Sequence, residues 1–160
     1  MQIHLLAVGQ KMPVWVKQGY QTFSQRMPAE CRLLLKEIPA LKRPKHADIK
    51  RIQAKEAQKL LQAIPRYSHV IALDVKGKPW STEQLAEQLK RWMMSGRDVS
   101  LLVGGPEGLT DACRSQADAL WSLSPLTFPH PLVRVILAEQ LYRAWSLSVG
   151  HPYHRGESCC

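Results

Sequence analysis

The chain has 160 residues, 45% of them apolar. That is enough for one domain with its own core and argues against disorder. Lys and Arg outnumber Asp and Glu by 22 to 13, a formal charge of +9, so the partners to expect are polyanions, RNA or DNA first. Cys31, Cys113, Cys159 and Cys160 match no zinc spacing or disulfide framework, and no apolar run reaches the length of a membrane span. The setting expected is therefore reducing and cytoplasmic, with no metal, membrane or export signal.

Ile3 to Val8 is an apolar run closed by Gly9 and predicts a first strand. Pro13 opens a helix carrying Val14, Val16, Tyr20 and Phe23. Arg32 to Ile38 reads as a second strand, and Pro39 to His46 as a basic loop with Lys42, Arg43, Lys45 and His46. Asp48 suits the positive end of the next helix, which runs to about Ala63 with Ile49, Ile52, Leu60 and Leu61 inward. His69 to Val75 is a third strand, after which Gly77-Lys78-Pro79-Trp80 turns the chain. Ser81 and Gln84 have capping-box spacing and start a helix to about Met94, stopped by Gly96. Asp98 to Val103 is a fourth strand. Thr110 or Asp111 caps a short helix to about Ala119, and Leu120 to Leu123 is a fifth strand. Pro131 begins the last helix, which ends near Gly150.

This alternation predicts an α/β fold, a parallel sheet with helices on both faces. In such sheets ligands bind beyond the carboxyl ends of the strands, at a reversal in strand order. The third, fourth and fifth strands bring Leu73, Gly104 and Leu123 to one such edge. Gly104-Gly105-Pro106-Glu107-Gly108 and the segment Trp121 to Pro131 follow two of these strands. Glycines let main-chain groups approach a flat, polar ligand, and Pro106 and Pro125 stiffen the two loops. The dinucleotide fingerprint is missing after the first strand, where Gly9-Gln10-Lys11-Met12-Pro13 stands, and there is no Walker motif. An ordinary NAD or ATP enzyme is thereby disfavoured.

In the last helix Val133, Leu137, Leu141, Ala144, Trp145 and Ser148 share one face, and Leu132, Val135, Ile136 and Tyr142 widen it. A helix so broadly apolar needs cover on more than one side, and a second subunit is the expected cover for one of them. Arg134, Glu139 and Arg143 interrupt the pattern, as ion pairs or as groups facing a site at that interface.

The glycine loop, the segment Leu123-Ser124-Pro125-Leu126-Thr127-Phe128-Pro129-His130 and the ending His151-Pro152-Tyr153-His154-Arg155 resemble the SPOUT superfamily of RNA methyltransferases. Ala7-Val8-Gly9, Lys11-Met12-Pro13, Ala47 to Arg51, Leu73-Asp74 and Gly77-Lys78-Pro79-Trp80 extend the likeness over residues 1–155, as one domain; residues 156–160 form a short tail. The resemblance implies a trefoil knot in the C-terminal part of the sheet. It also implies a bound S-adenosylmethionine, lined by Leu73, Gly104, Leu123, Ser124, Pro125, Leu126, Thr127 and Phe128, and a homodimer whose site is completed across the interface. The branch it resembles methylates N3 of a pseudouridine in 23S rRNA on the assembled ribosome.

That reaction requires loss of the N3 proton, for which Glu139, His130 and His154 are the possible acceptors. His154 is preferred for its exposed, polar setting beside Tyr153, which can stack on a base, and Arg155, which can hold a phosphate or carbonyl. Lys42, Arg43, Lys45 and His46, with Lys50, Arg51 and Lys55, are candidate phosphate contacts. Two other readings stay open: a ribosome-associated RNA-binding protein without activity, and a SPOUT methyltransferase acting on tRNA.

Overall fold

A computed structural model describes residues 1–156, so the tail positions Cys159 and Cys160 lie outside the described residues. Five strands form one sheet: β1 (Gln2–Val8), β2 (Arg32–Ile38), β3 (His69–Pro79), β4 (Val99–Val103) and β5 (Ala119–Ser122). Their order is β2-β1-β4-β3-β5, and every pairing is parallel. Helices α1 (Val14–Ser24), α3 (Thr82–Ser95) and α5 (His130–Val149) cover one face. Helices α2 (Ile49–Gln62) and α4 (Asp111–Gln116) cover the other, and a last short turn, α6 (Tyr153–Gly156), folds onto α5. Both faces of the central strands are thus buried, as continuous runs such as Leu5-Leu6-Ala7 and Leu101-Leu102-Val103 require.

Local signals set most of the boundaries. The Asp48 carboxylate accepts from the Arg51 backbone N–H at the start of α2. Ser81 and Gln84 complete a reciprocal capping box on α3, and Gly96 ends that helix in the left-handed conformation, φ +70°. Thr110, rather than Asp111, caps α4. Pro13 is the residue before α1 rather than its first turn.

Three expectations are corrected. The chain does not turn at Gly77; β3 runs on to Pro79. Its register along β5 slips there, so that Leu73 and Lys78 both oppose Trp121. A Cβ on Gly77 would stand 2.6 Å from the Trp121 backbone, so only glycine permits this approach. α4 stops at Gln116, since Ala117 is already extended. Ile49 is 37% exposed, while the inward face of α2 carries Glu56 and Ala57 with Leu60.

Helix α5 is covered from both sides by helices of its own chain. Among its residues Leu137, Ala138, Leu141 and Ala144 are fully buried, yet they face helices of the same chain, because α5 lies between α1 and α3. The close pass at Gly19, whose added Cβ would meet Val135 at 3.2 Å, brings α1 onto one side. Leu132, Val133, Val135, Ile136 and Trp145 stay half-buried, so the chain covers its last helix only in part.

Candidate functional site

A cavity of about 820 Å³ opens at the carboxyl ends of β3, β4 and β5, one strand beyond the order reversal between β1 and β4. Three segments build it. β3 contributes Leu73 and its bulged exit, Asp74 to Lys76. The glycine loop contributes residues 104–109. The loop after β5 contributes Trp121 to Ser124 and Leu126 to Phe128, with His130 and Val133 from the first turn of α5. Seven of the eight residues expected to line a ligand are in this wall. Pro125 alone is in the loop but not in the wall.

The glycine loop is tight for internal reasons. A Cβ on Gly104 would come within 2.5 Å of the Gly108 backbone, so the loop closes on itself there. A Gly104→Trp change would break the loop rather than merely fill the cavity. Gly108, at φ +79°, donates to the Gly105 carbonyl at 2.9 Å. In the second loop the Ser124 hydroxyl accepts from Leu126 N–H at 3.0 Å, a serine turn that holds the segment open.

Charged groups brace the rim. Asp74 accepts from Lys76 N–H at 2.8 Å and from Arg114 Nη1 at 3.0 Å. Arg114 also donates to the Leu109 carbonyl at 2.7 Å and pairs with Asp111. The exit of β3 is thereby tied to the start of α4. Glu107 is gripped by Arg43, which holds its carboxyl below the usual range. At the α5 end, Arg134 is 2% exposed and donates to Glu37 and to the Gly9 carbonyl, both at 2.7 Å. Burial of His130, then the positive Arg134 and Arg43 nearby, push its imidazole below its ordinary value. His130 is neutral near pH 7 and lies in the cavity wall.

Of the residues weighed for chemistry, only His130 lines this cavity. Glu139, Tyr153, His154 and Arg155 do not line this cavity. They are grouped beside α5, where Glu139 accepts from Tyr153 Oη at 3.0 Å, Arg143 Nε at 2.8 Å and Gln140 Nε2 at 2.8 Å. The Arg143 guanidinium lies 5.0 Å from the Tyr153 ring centre. The Tyr153 ring in turn packs on Tyr142, 4.7 Å between centres, and on the edge of Phe23. His154 Nδ1 is enclosed without a partner among the described residues, and Arg155 is exposed.

Asp74, Arg114, His130 and Val133 were not in the expected binding set. Asp74 and His130 stood in recognisable segments, but no local signal pairs Asp74 with a residue forty positions on. Among the described residues no group of His, Cys, Asp and Glu is placed to hold a metal, and no helix is long and apolar enough to cross a membrane.

Fold and cavity together define an α/β protein with a cavity of small-molecule size at the sheet's carboxyl edge. The family model described as "Predicted SPOUT methyltransferase" matches residues 1–154, and the chain belongs to that family. It is 64% identical over 155 residues to a protein of Thioalkalivibrio sulfidiphilus called "Ribosomal RNA large subunit methyltransferase H", covering 97% of this chain and 99% of that one. Proteins of the same name from Hahella chejuensis and Methylococcus capsulatus are 59% and 57% identical, again over 97% of this chain and nearly all of theirs. Among solved structures, a "Probable Methyltransferase" from Bordetella pertussis superposes with a TM-score of 0.56 at 14% identity, covering 89% of this chain and 93% of that one. That likeness speaks for the fold.

Proposed function

We propose that the chain transfers a methyl group to N3 of a pseudouridine in 23S rRNA, on the assembled ribosome in the cytoplasm, with S-adenosylmethionine held in the cavity described above. The observation that carries this reading is an 820 Å³ cavity at the sheet's carboxyl edge, in a chain that aligns almost end to end with named large-subunit rRNA methyltransferases. The size lies within the range of small-molecule sites, about 300–1,000 Å³. Leu73, Trp121 and Phe128 offer apolar wall for a flat ring, and the rim carries both signs in Asp74, Lys76 and Arg114. That donor set suits a zwitterionic nucleoside. When bound, S-adenosylmethionine supplies an electrophilic methyl group on a sulfonium sulfur.

The chain's task is then to hold the acceptor in line and to exclude water. The proton on pseudouridine N3 has to leave. His154 is our acceptor; its Nδ1 is enclosed, which leaves Nε2 for the proton. Arg155 holds a phosphate or a base carbonyl, and Tyr153, fixed by Glu139 through its hydroxyl, borders the base with what its packed ring leaves open. Because none of the four lines the cavity of its own chain, we assign them to the cavity of a second copy, in a homodimer. Trp15 and Val14, 59% and 68% exposed at the start of α1, support such a contact. The trefoil knot belongs to the same reading. It is supported by the family match over residues 1–154.

The test is transfer of labelled methyl from S-adenosylmethionine to ribosomes lacking the modification, with the product nucleoside identified. Label on pseudouridine N3 is the expected result. Label on tRNA only would move the substrate. Cofactor binding with no transfer to any RNA would leave a binding protein.

A further inference from the structure

We propose that Arg43 is a positioning residue that locks the glycine loop of the cavity to the basic loop between β2 and α2, so that methyl-donor binding and rRNA binding are thermodynamically coupled. This rests on the functional reading above and deepens it.

Arg43 looks, by sequence, like one more phosphate contact. The structure gives its guanidinium other work. A guanidinium has five N–H donors. Here Nε and Nη2 donate to the two Glu107 oxygens at 2.8 and 2.7 Å. Nη1 and Nη2 donate to the two Glu56 oxygens at 3.1 and 2.7 Å, and Nη1 also donates to the Leu41 carbonyl at 2.9 Å. Every donor is occupied, so none is left for a phosphate. Three separate pieces of chain meet at this one side chain: its own loop, α2 through Glu56, and the glycine loop through Glu107.

The two carboxylates sit this close only because a cation lies between them. Glu56 is 4% exposed and also accepts from Leu41 N–H at 2.9 Å, so it anchors the basic loop to α2. Glu107 is in the cavity wall, and Gln53 Nε2 reaches its carbonyl at 3.4 Å. Moving the basic loop therefore moves Arg43 and releases the Glu107 side chain, which removes the outer tether of the glycine loop. Lys42 and Lys45, which flank Arg43 in the same loop, have no ion pair among the described residues. They are the groups left for a polyanion. A phosphate held by them fixes the backbone that carries Arg43. By linkage, whatever tightens one site through a shared element tightens the other by the same factor. The bidentate fork to Glu107 is what lysine cannot reproduce.

The experiment measures binding of labelled S-adenosylhomocysteine by equilibrium dialysis, with and without ribosomes lacking the modification. The proteins are the wild type, Arg43→Lys, Glu107→Gln and the double variant, with thermal unfolding recorded for each. Glu107→Gln keeps the Arg43–Glu56 pair and hence the folded loop. For the wild type, ribosomes should tighten binding about 5-fold or more. In Arg43→Lys, affinity should fall roughly 5- to 10-fold and the ribosome effect should vanish. Donor KM should rise more than kcat falls. Glu107→Gln should do the same and add nothing in the Arg43→Lys background, because Glu107 acts through Arg43. Additive losses, or a ribosome effect that survives in Arg43→Lys, would overturn the coupling while leaving the functional reading intact. A wild type that binds no S-adenosylhomocysteine would overturn both.

Discussion

Arg134 shows how much a single buried charge organises here. It is among the largest fully buried side chains, and its two bonds join the carbonyl of Gly9, at φ +113°, to the carboxylate of Glu37. It therefore stitches the ends of β1 and β2 to the first turn of α5, next to His130 in the cavity wall. Replacing it leaves a buried carbonyl and a half-buried carboxylate without a donor. Arg134→Ala should cost roughly 3 kcal/mol, read as a lower urea midpoint with unchanged slope. Thr127 tests the cavity with less collateral damage than any glycine. It lines the wall yet is exposed, so a larger side chain there has room to fold. Thr127→Trp should raise the Kd for S-adenosylhomocysteine about tenfold or more, a loss of roughly 1.4 kcal/mol, while the urea midpoint stays put. A normal Kd would take that loop out of the binding surface.

Among the elements, the amino ends of the strands are held by a different device from the carboxyl ends. Asp98, just before β4, accepts from His4 Nε2 and from Gln2 N–H, both at 2.9 Å, and so clamps β1 against β4. The His4 hydrogen bond, foremost among the causes, holds the Asp98 carboxyl below its usual value of 3.8. A carboxylate with a depressed folded pKa binds fewer protons folded than unfolded, so its stabilisation is full above the unfolded value and is lost as pH falls through the folded one. Asp98→Asn should lower Tm relative to wild type at pH 7. The gap should close on acidification below about pH 3.8; a gap constant down to the acid limit would deny the clamp. The same scale shows what the sequence could and could not announce. Asp48, Ser81 with Gln84, Thr110 and Gly96 act within three or four residues, so those boundaries were readable. The continuation of β3 past Gly77 was not, because it depends on the Trp121 backbone arriving from a strand more than forty residues away. Nor was the burial of Glu56, which follows from Arg43 across a loop. The ligand loops were legible because their glycines and prolines are local signals. Their bracing by Asp74–Arg114 and Arg43–Glu107 was not, because ion pairs leave no periodicity.

For the whole molecule, the decisive feature is that cavity and tail cluster belong to one chain but do not meet in it. His130, in the cavity wall, and Glu139, in the tail cluster, are nine residues apart on α5, or about 13 Å along its axis at 1.5 Å per residue. Tyr153 is tied down at the Glu139 level by its hydroxyl and its ring, so the C-terminal segment 153–155, here the tail, is held on α5 rather than free to swing into its own cavity. A symmetric pair of chains resolves this if each tail serves the other's cavity. The consequence can be measured by complementation. His154→Ala should retain S-adenosylhomocysteine binding and lose transfer, and Thr127→Trp should weaken binding about tenfold or more, so that it transfers little at donor concentrations well below its raised Kd. In mixed refolding of equal amounts, half the pairs are mixed. In each mixed pair one site combines the intact cavity of one chain with the intact tail of the other. At such a donor concentration transfer should then recover to roughly a quarter of the wild-type rate, although each variant alone is close to inactive. If instead each cavity used its own tail, every site in the mixture would carry one defect and no activity would return.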